Sequence, residues 1–127
     1  MKRILPLLIS LLLLLTGCGG NSADGSYQTI TQEEAKEMMD SQKVIILDVR
    51  EQDEYDSGHI PGAVLLPVGT IAETTAAETI PEKDSTVLVY CRSGNRSKTA
   101  SSTLAELGYT NIYEFGGINI WPYETEE

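Results

Sequence analysis

Thr86-Val87-Leu88-Val89-Tyr90 runs directly into Cys91-Arg92-Ser93-Gly94-Asn95-Arg96-Ser97. The first five residues are apolar or β-branched without a break, the pattern of a strand covered on both faces. The run stops at a cysteine and passes through a short glycine-containing loop. Lys98 to Leu107 then reads as a helix, with Gly108 just past its end. A thiol held where a strand meets a helix N-terminus faces backbone N–H groups and the positive end of the helix dipole. That setting favours the thiolate, the form that acts as a nucleophile. Arg92 and Arg96 add positive charge, so the ligand such a loop suits is anionic.

Outward from this stretch, apolar strands alternate with helices. Tyr27 to Ile30 reads as a short strand, and Thr31-Gln32-Glu33-Glu34 is a capping box that opens a helix reaching Met39. Val44 to Leu47 is a strand ending at Asp48-Val49-Arg50. Glu51 to Ser57 is a short helix stopped by Gly58, Pro61-Gly62 is a turn, and Ala63 to Leu66 is a third strand. Ile71 to Thr79 is a weak helix, favoured by alanine and glutamate and opposed by the threonines. Asn111 to Phe115 is the last strand, and Gly116-Gly117 leads into a short helix carrying Trp121. The alternation predicts an α/β fold: a three-layer sandwich whose central parallel sheet has about five strands, with helices on both faces. Chemistry in such sheets sits beyond the carboxyl ends of the strands. Asp48-Val49-Arg50 and Cys91 to Ser97 both follow strand ends, so one face can hold both.

At 127 residues the chain has room for one domain. Residues 1–17 are not counted toward it. Lys2 and Arg3 form a positive n-region, Ile4 to Leu15 an apolar h-region, and Thr16-Gly17 supplies small residues before Cys18. This is the layout of a secretory signal, too short for a comfortable membrane span of roughly 20 residues. Leu15-Thr16-Gly17-Cys18 resembles the bacterial lipobox, which implies that Cys18 becomes the lipidated first residue of the mature chain. The expected organisation is therefore a lipoprotein signal peptide (1–17), a lipidated cysteine with a flexible linker (18–26), and a folded domain (27–127). The expected location is outside the cytoplasm, anchored to the bacterial cell membrane through Cys18. Gly19 to Ser26 has no large apolar residue and reaches about 16 Å as a random coil.

The charge is −10 for the whole chain, with 9 basic and 19 acidic residues. Removing Lys2 and Arg3 leaves 7 against 19, a net of −12. Such a surface repels nucleic acid and anionic lipid, so no nucleic-acid partner is expected and membrane contact is assigned to the lipid. A basic loop in an acidic protein marks local chemistry. There are two cysteines, and lipidation would consume one, leaving Cys91 as an unpaired thiol. An odd cysteine outside the cytoplasm suggests a reactive thiol or an intermolecular bridge.

Four stretches, in order, carry a specific resemblance. Asp48-Val49-Arg50-Glu51 with Glu54-Tyr55, Gly58-His59-Ile60-Pro61-Gly62-Ala63 with Pro67, Cys91 to Ser97, and Gly116-Gly117-Ile118 with Trp121 are similar to the signatures of single-domain rhodaneses, which are sulfurtransferases. Together they cover residues 27 to 123. Loop length separates the chemistries of related folds. Here Arg96 follows Cys91 after four intervening residues, whereas tyrosine phosphatases, cell-cycle phosphatases and arsenate reductases use a loop one residue longer. A smaller nest of inward N–H groups suits a sulfur atom, and a larger one a tetrahedral phosphate or arsenate.

The resemblance implies that Cys91 is the catalytic nucleophile. It takes sulfur from a small anionic donor, thiosulfate or a persulfide, and passes it to a thiol or cyanide acceptor. Arg92, Ser93, Gly94, Asn95, Arg96 and Ser97 would bind the donor and the transferred sulfur, with Arg92 and Arg96 holding its charge. Asp48 and Arg50 are expected to support the loop from behind. His59, the only histidine, is assigned to packing or hydrogen bonding near its turn, since a relay through an ionised thiol needs no base. The chemistry calls for no cofactor and no metal, and the chain is expected to act as a monomer. Two other readings stand beside this one: a persulfide carrier or binding module without turnover, and a phosphatase or arsenate reductase on the same scaffold.

Overall fold

A computed structural model describes residues 26–127. The expected signal peptide, Cys18 and all of the linker except Ser26 lie outside the described residues. Five strands form one parallel sheet: β1 (Gln28–Thr29), β2 (Ile45–Asp48), β3 (Val64–Leu65), β4 (Thr86–Cys91) and β5 (Asn111–Gly117), in the order β1-β5-β4-β2-β3. Four helices connect them: α1 (Gln32–Ser41), α2 (Gln52–Ser57), α3 (Glu73–Thr79) and α4 (Asn95–Glu106). Single 3-10 turns occupy Val68–Thr70 and Ile118–Ile120. No helix among the described residues is long and apolar enough to cross a membrane.

The three layers follow from strand alternation in β4. Val87, Val89 and Cys91 face one side and pack with Ala76 of α3 and with Ala100 and Leu104 of α4. Leu88 and Tyr90 face the other side, against Ala35 and Met38 of α1 and Tyr55 of α2. All of β4 after Thr86 is buried, so the strand is apolar on both faces, as its unbroken run requires.

Several boundaries differ from the sequence reading, each for a local reason. The α1 capping box forms as expected, with the Glu34 N–H donating to Thr31 Oγ1 at 3.0 Å and the Thr31 N–H to Glu34 Oε1 at 2.9 Å. That helix continues to Ser41. Helix α4 begins at Asn95, three residues before the expected Lys98, so Asn95, Arg96 and Ser97 form its first turn and are not loop. Gly94 permits the early start. It adopts a left-handed conformation (φ 109°) that lets the chain turn from strand into helix within three residues of Cys91. Trp121 caps a 3-10 turn and is not carried by a helix.

Strand order places the chemistry. From β2 the chain moves outward to β3, and from β4 it moves the opposite way to β5. The crevice beyond the carboxyl ends of β2 and β4 is therefore a topological switch point. Asp48 pairs in register with Tyr90, which brings Asp48-Val49-Arg50 and Cys91 to the same edge.

Candidate active site

Cys91 closes β4 at 1% exposure. Its Sγ accepts the Gly94 N–H at 3.0 Å. Burial pushes the thiol up. The Ser97 hydroxyl, when turned to the sulfur, and the N–H groups of Ser97, Gly94 and Ser93 more than offset that, so the thiol lies below its ordinary value. The donors belong to a tight turn and to the first turn of α4, where backbone N–H groups have no partner inside the helix. The sequence dictates this geometry: a strand that ends at a cysteine, a glycine that reverses the chain, and a helix that begins at once.

The end of β5 holds the loop from the other side. Val89 pairs with Glu114 but Cys91 pairs with Gly117, so β5 carries one residue more than β4 across this step. Such a bulge re-aims side chains beside a site. Gly117 lies so close to the Arg92 carbonyl that a Cβ there would overlap it. Asn119 fixes the same carbonyl through its N–H at 3.1 Å. Gln32 Nε2 donates to the carbonyls of Phe115 and Gly117 at 2.9 and 3.0 Å, tying α1 to the bulge.

Asp48 and Arg50 form a buried pair behind the loop. Arg50 Nη2 reaches Asp48 Oδ2 at 2.7 Å and the Gly58 carbonyl at 2.7 Å. The Tyr90 hydroxyl donates to Asp48 Oδ2 at 2.7 Å and accepts the Ile60 N–H at 3.1 Å. Burial pushes the Tyr90 phenol well up, which keeps it a proton donor. This network pins the residue before Cys91 to the end of β2 and to the turn after α2. His59 lies elsewhere. Its ring stacks on Tyr55 at 3.8 Å, its Nδ1 is 2.8 Å from the Tyr55 carbonyl oxygen, and its Nε2 is 3.4 Å from Glu126 Oε2. Its backbone pairs with Glu126 in both directions at 2.8 Å, so His59 clasps the C-terminal tail.

The two loop arginines differ. Arg96 is held by Glu54 of α2 through two bonds of 2.8 and 2.9 Å. Arg92 is exposed and makes no ion pair among the described residues. It lines an open cleft of about 460 Å³ with Arg50, Asp53, Glu54, Gly58 and Asn119. Sequence reasoning placed Arg96 with the donor and named Glu54 only within a signature, with no role and no partner. The two lie 42 residues apart on separate helices, and nothing in local spacing links them. It also passed over Glu114, whose register gave a signal: alternation puts it on the Ile112 side of β5, which is the buried side facing α4.

Residues 31–122 match the rhodanese-like domain, and the chain belongs to that family. Among curated relatives it is 38% identical over 72 residues to thiosulfate sulfurtransferase PspE of Escherichia coli K12, covering 57% of this chain and 68% of that one. It is 33% identical over 96 residues to thiosulfate sulfurtransferase GlpE of Coxiella burnetii, covering 75% and 87%. Among solved structures, a rhodanese with anions from E. coli superposes with a TM-score of 0.62 at 30% identity, over 67% of this chain and 99% of that one. The α/β architecture with its five-stranded parallel sheet is that of the family.

The Arg96 bond holds the Glu54 carboxyl down at about 2, helped by the Glu51 N–H against the opposing effect of burial. A depressed carboxylate stabilises the fold above its ordinary value of about 4.3 and loses that contribution as pH falls through its folded value. Glu54 and Arg96 side chains are 24% and 33% exposed, so solvent screening limits the effect to about 1 kcal/mol. Urea unfolding is expected to show Glu54→Gln less stable than wild type by that amount at pH 6, with the gap closing between about pH 4 and pH 2. A gap independent of pH would show that the ion pair is not its source.

Proposed function

We propose that the protein is a sulfurtransferase that moves a sulfane sulfur from thiosulfate or a persulfide donor to a thiophilic acceptor through a persulfide on Cys91. The observation that carries this reading is the buried sulfur at the β4–α4 junction, which accepts the Gly94 N–H and whose thiol is held below its ordinary value. The relatedness to thiosulfate sulfurtransferases supports it.

In the first step the Cys91 thiolate attacks the outer sulfur of thiosulfate. A Cys91 S–S bond forms, the donor's S–S bond breaks, and sulfite leaves with the electron pair. In the second step the acceptor attacks the outer sulfur of the persulfide. Cyanide leaves as thiocyanate, or a thiolate leaves as a new persulfide, and the Cys91 thiolate returns. The N–H groups that favour the thiolate also face the charge on the terminal persulfide sulfur, which is oxyanion-hole logic applied to sulfur. Arg92 meets the anionic donor at the cleft. Arg96, held by Glu54, acts as a fixed positive charge at the helix start and not as a free hand on the donor.

The six residues from Cys91 to Arg96 favour sulfur over a tetrahedral oxyanion as the nest's occupant. In the proposal the domain works outside the cytoplasm, tethered to the membrane through lipidated Cys18. More than one acyl chain gives stable anchoring, which lipoprotein processing supplies.

Thiocyanate formation from thiosulfate and cyanide tests the reaction. Wild type is expected to turn over and Cys91→Ser to show none. Arg92→Ala is expected to raise KM for thiosulfate about tenfold with kcat little changed, the loss of one charge-assisted contact. Folded wild type inactive with thiosulfate and with persulfide donors would overturn the reading. For the anchor, a labelled fatty acid is expected on wild type expressed in bacteria and not on Cys18→Ala; equal labelling would refute lipidation there.

A further inference from the structure

The cleft at Arg92 carries more than the proposed donor uses. Among the charged side chains that line it, Arg50 is closed on Asp48 and Glu54 on Arg96. Arg92 and Asp53 are not closed on anything. Both are exposed, and among the described residues neither makes an ion pair. Asp53 meets the Ser57 hydroxyl through its main-chain carbonyl at 2.9 Å, which leaves the carboxylate open to the cleft. It stands in the first turn of α2, where the helix dipole favours a negative charge. Asn119 and Thr125 add an amide and a hydroxyl to the same lining.

Thiosulfate accounts for only part of this. It is a small dianion, and Arg92 answers its charge. Asp53 opposes it, since like charges across one cleft repel. The cleft volume of about 460 Å³ lies within the range of small-molecule sites, about 300–1,000 Å³, and exceeds what so small an ion fills. A cation and an anion facing one cleft suit a ligand that carries both charges.

We propose that the cleft recognises the acceptor of the second step: a low-mass thiol bearing an ammonium and a carboxylate, the first held by Asp53 and the second by Arg92. The inference rests on the reading of Cys91 as the sulfur carrier. The order of the steps gives each charge its task. In the first step Arg92 meets the anionic donor. Sulfite then leaves, and Arg92 is vacant for the carboxylate of the acceptor, while Asp53 takes up its ammonium. The acceptor enters as a thiolate, its proton lost to solvent, and attacks the outer sulfur of the Cys91 persulfide. A new S–S bond forms, the S–S bond to Cys91 breaks, and Cys91 departs with the electron pair as a thiolate. The product is the persulfide of an amino-acid thiol, and no oxidant or reductant is consumed.

The test follows sulfur transfer from thiosulfate to four thiols of different charge: neutral 2-mercaptoethanol, anionic 3-mercaptopropionate, cationic cysteamine, and free cysteine, which has both groups. In a two-step relay kcat/KM for the acceptor reports the second step alone. Comparing a variant with wild type cancels each thiol's own reactivity. Asp53→Asn is expected to lower kcat/KM for cysteamine and cysteine about fivefold relative to 2-mercaptoethanol, the scale of one solvent-exposed ion pair. It is not expected to lower the relative value for 3-mercaptopropionate. Arg92→Ala is expected to lower the values for 3-mercaptopropionate and cysteine relative to 2-mercaptoethanol, and not that for cysteamine. Both effects are expected to shrink in high salt. Ratios unchanged from wild type would overturn the proposal. A loss confined to the singly charged thiols, with cysteine unaffected, would overturn it as well.

Failure of this inference is separable from failure of the sulfurtransferase reading. Methanethiosulfonate reagents modify the Cys91 thiolate directly and need no sulfur donor. Asp53→Asn is expected to slow the aminoethyl reagent about fivefold relative to the neutral methyl one. If thiosulfate does not load Cys91 while that ratio falls, the relay is wrong and the recognition of an ammonium by Asp53 stands. If Cys91 loads and empties without regard to acceptor charge, the relay stands and this inference is wrong.

Discussion

A sulfur buried at the junction of β4 and α4, with backbone N–H groups turned toward it, sets the terms for the rest of the molecule. Burial alone would hold a thiol neutral and inert. The Ser97 hydroxyl and the main-chain donors together reverse that, and the main-chain donors are fixed by the fold and need no side chain to be ordered. Their position depends on Gly94 taking a left-handed conformation and on α4 starting immediately after it. It depends equally on β5, whose extra residue brings Gly117 against the Arg92 carbonyl where no side chain would fit.

The charged groups around this centre fall into layers. Asp48, Arg50 and Tyr90 form a closed, buried network that locks the end of β4 to β2 and to the Gly58 turn. Glu54 neutralises and aims Arg96 at the start of α4. Arg92 faces the cleft with no ion pair among the described residues, in a chain of net charge −10. In the proposed relay an anionic donor is drawn to that point, while the net negative charge suppresses bulk attraction of polyanions. His59 takes no part in this arrangement; with Tyr55 and Glu126 it fastens the tail beside the cleft.

Much of this is legible in the sequence. The unbroken apolar run of β4 announced a strand covered on both sides, and the alternation of elements announced the parallel sheet. The ordered signatures around Asp48, His59, Cys91 and Gly116 pointed to the family. Thr31 and Glu34 announced the α1 cap, which forms as read. The start of α4 was misplaced because polar Asn95, Arg96 and Ser97 look like loop, while the left-handed Gly94 that admits them to the helix leaves no mark on periodicity. The Glu54–Arg96 and Ser97–Glu114 contacts are tertiary, joining residues 42 and 17 apart, and no local rule reaches them. Glu114 was the nearest to visible: a charge on the inward register of an apolar strand asks for a partner, and the fold supplies Ser97.

The relay stands or falls on whether Cys91 carries the transferred sulfur. Mass spectrometry of the Cys91 peptide, after incubation of the protein with thiosulfate and again after addition of cyanide, reads this directly. The expected result is a gain of one sulfur atom on Cys91 that disappears with cyanide. A Cys91 that stays an unmodified thiol with thiosulfate and with persulfide donors, in a protein that still folds and still alkylates there, would contradict it.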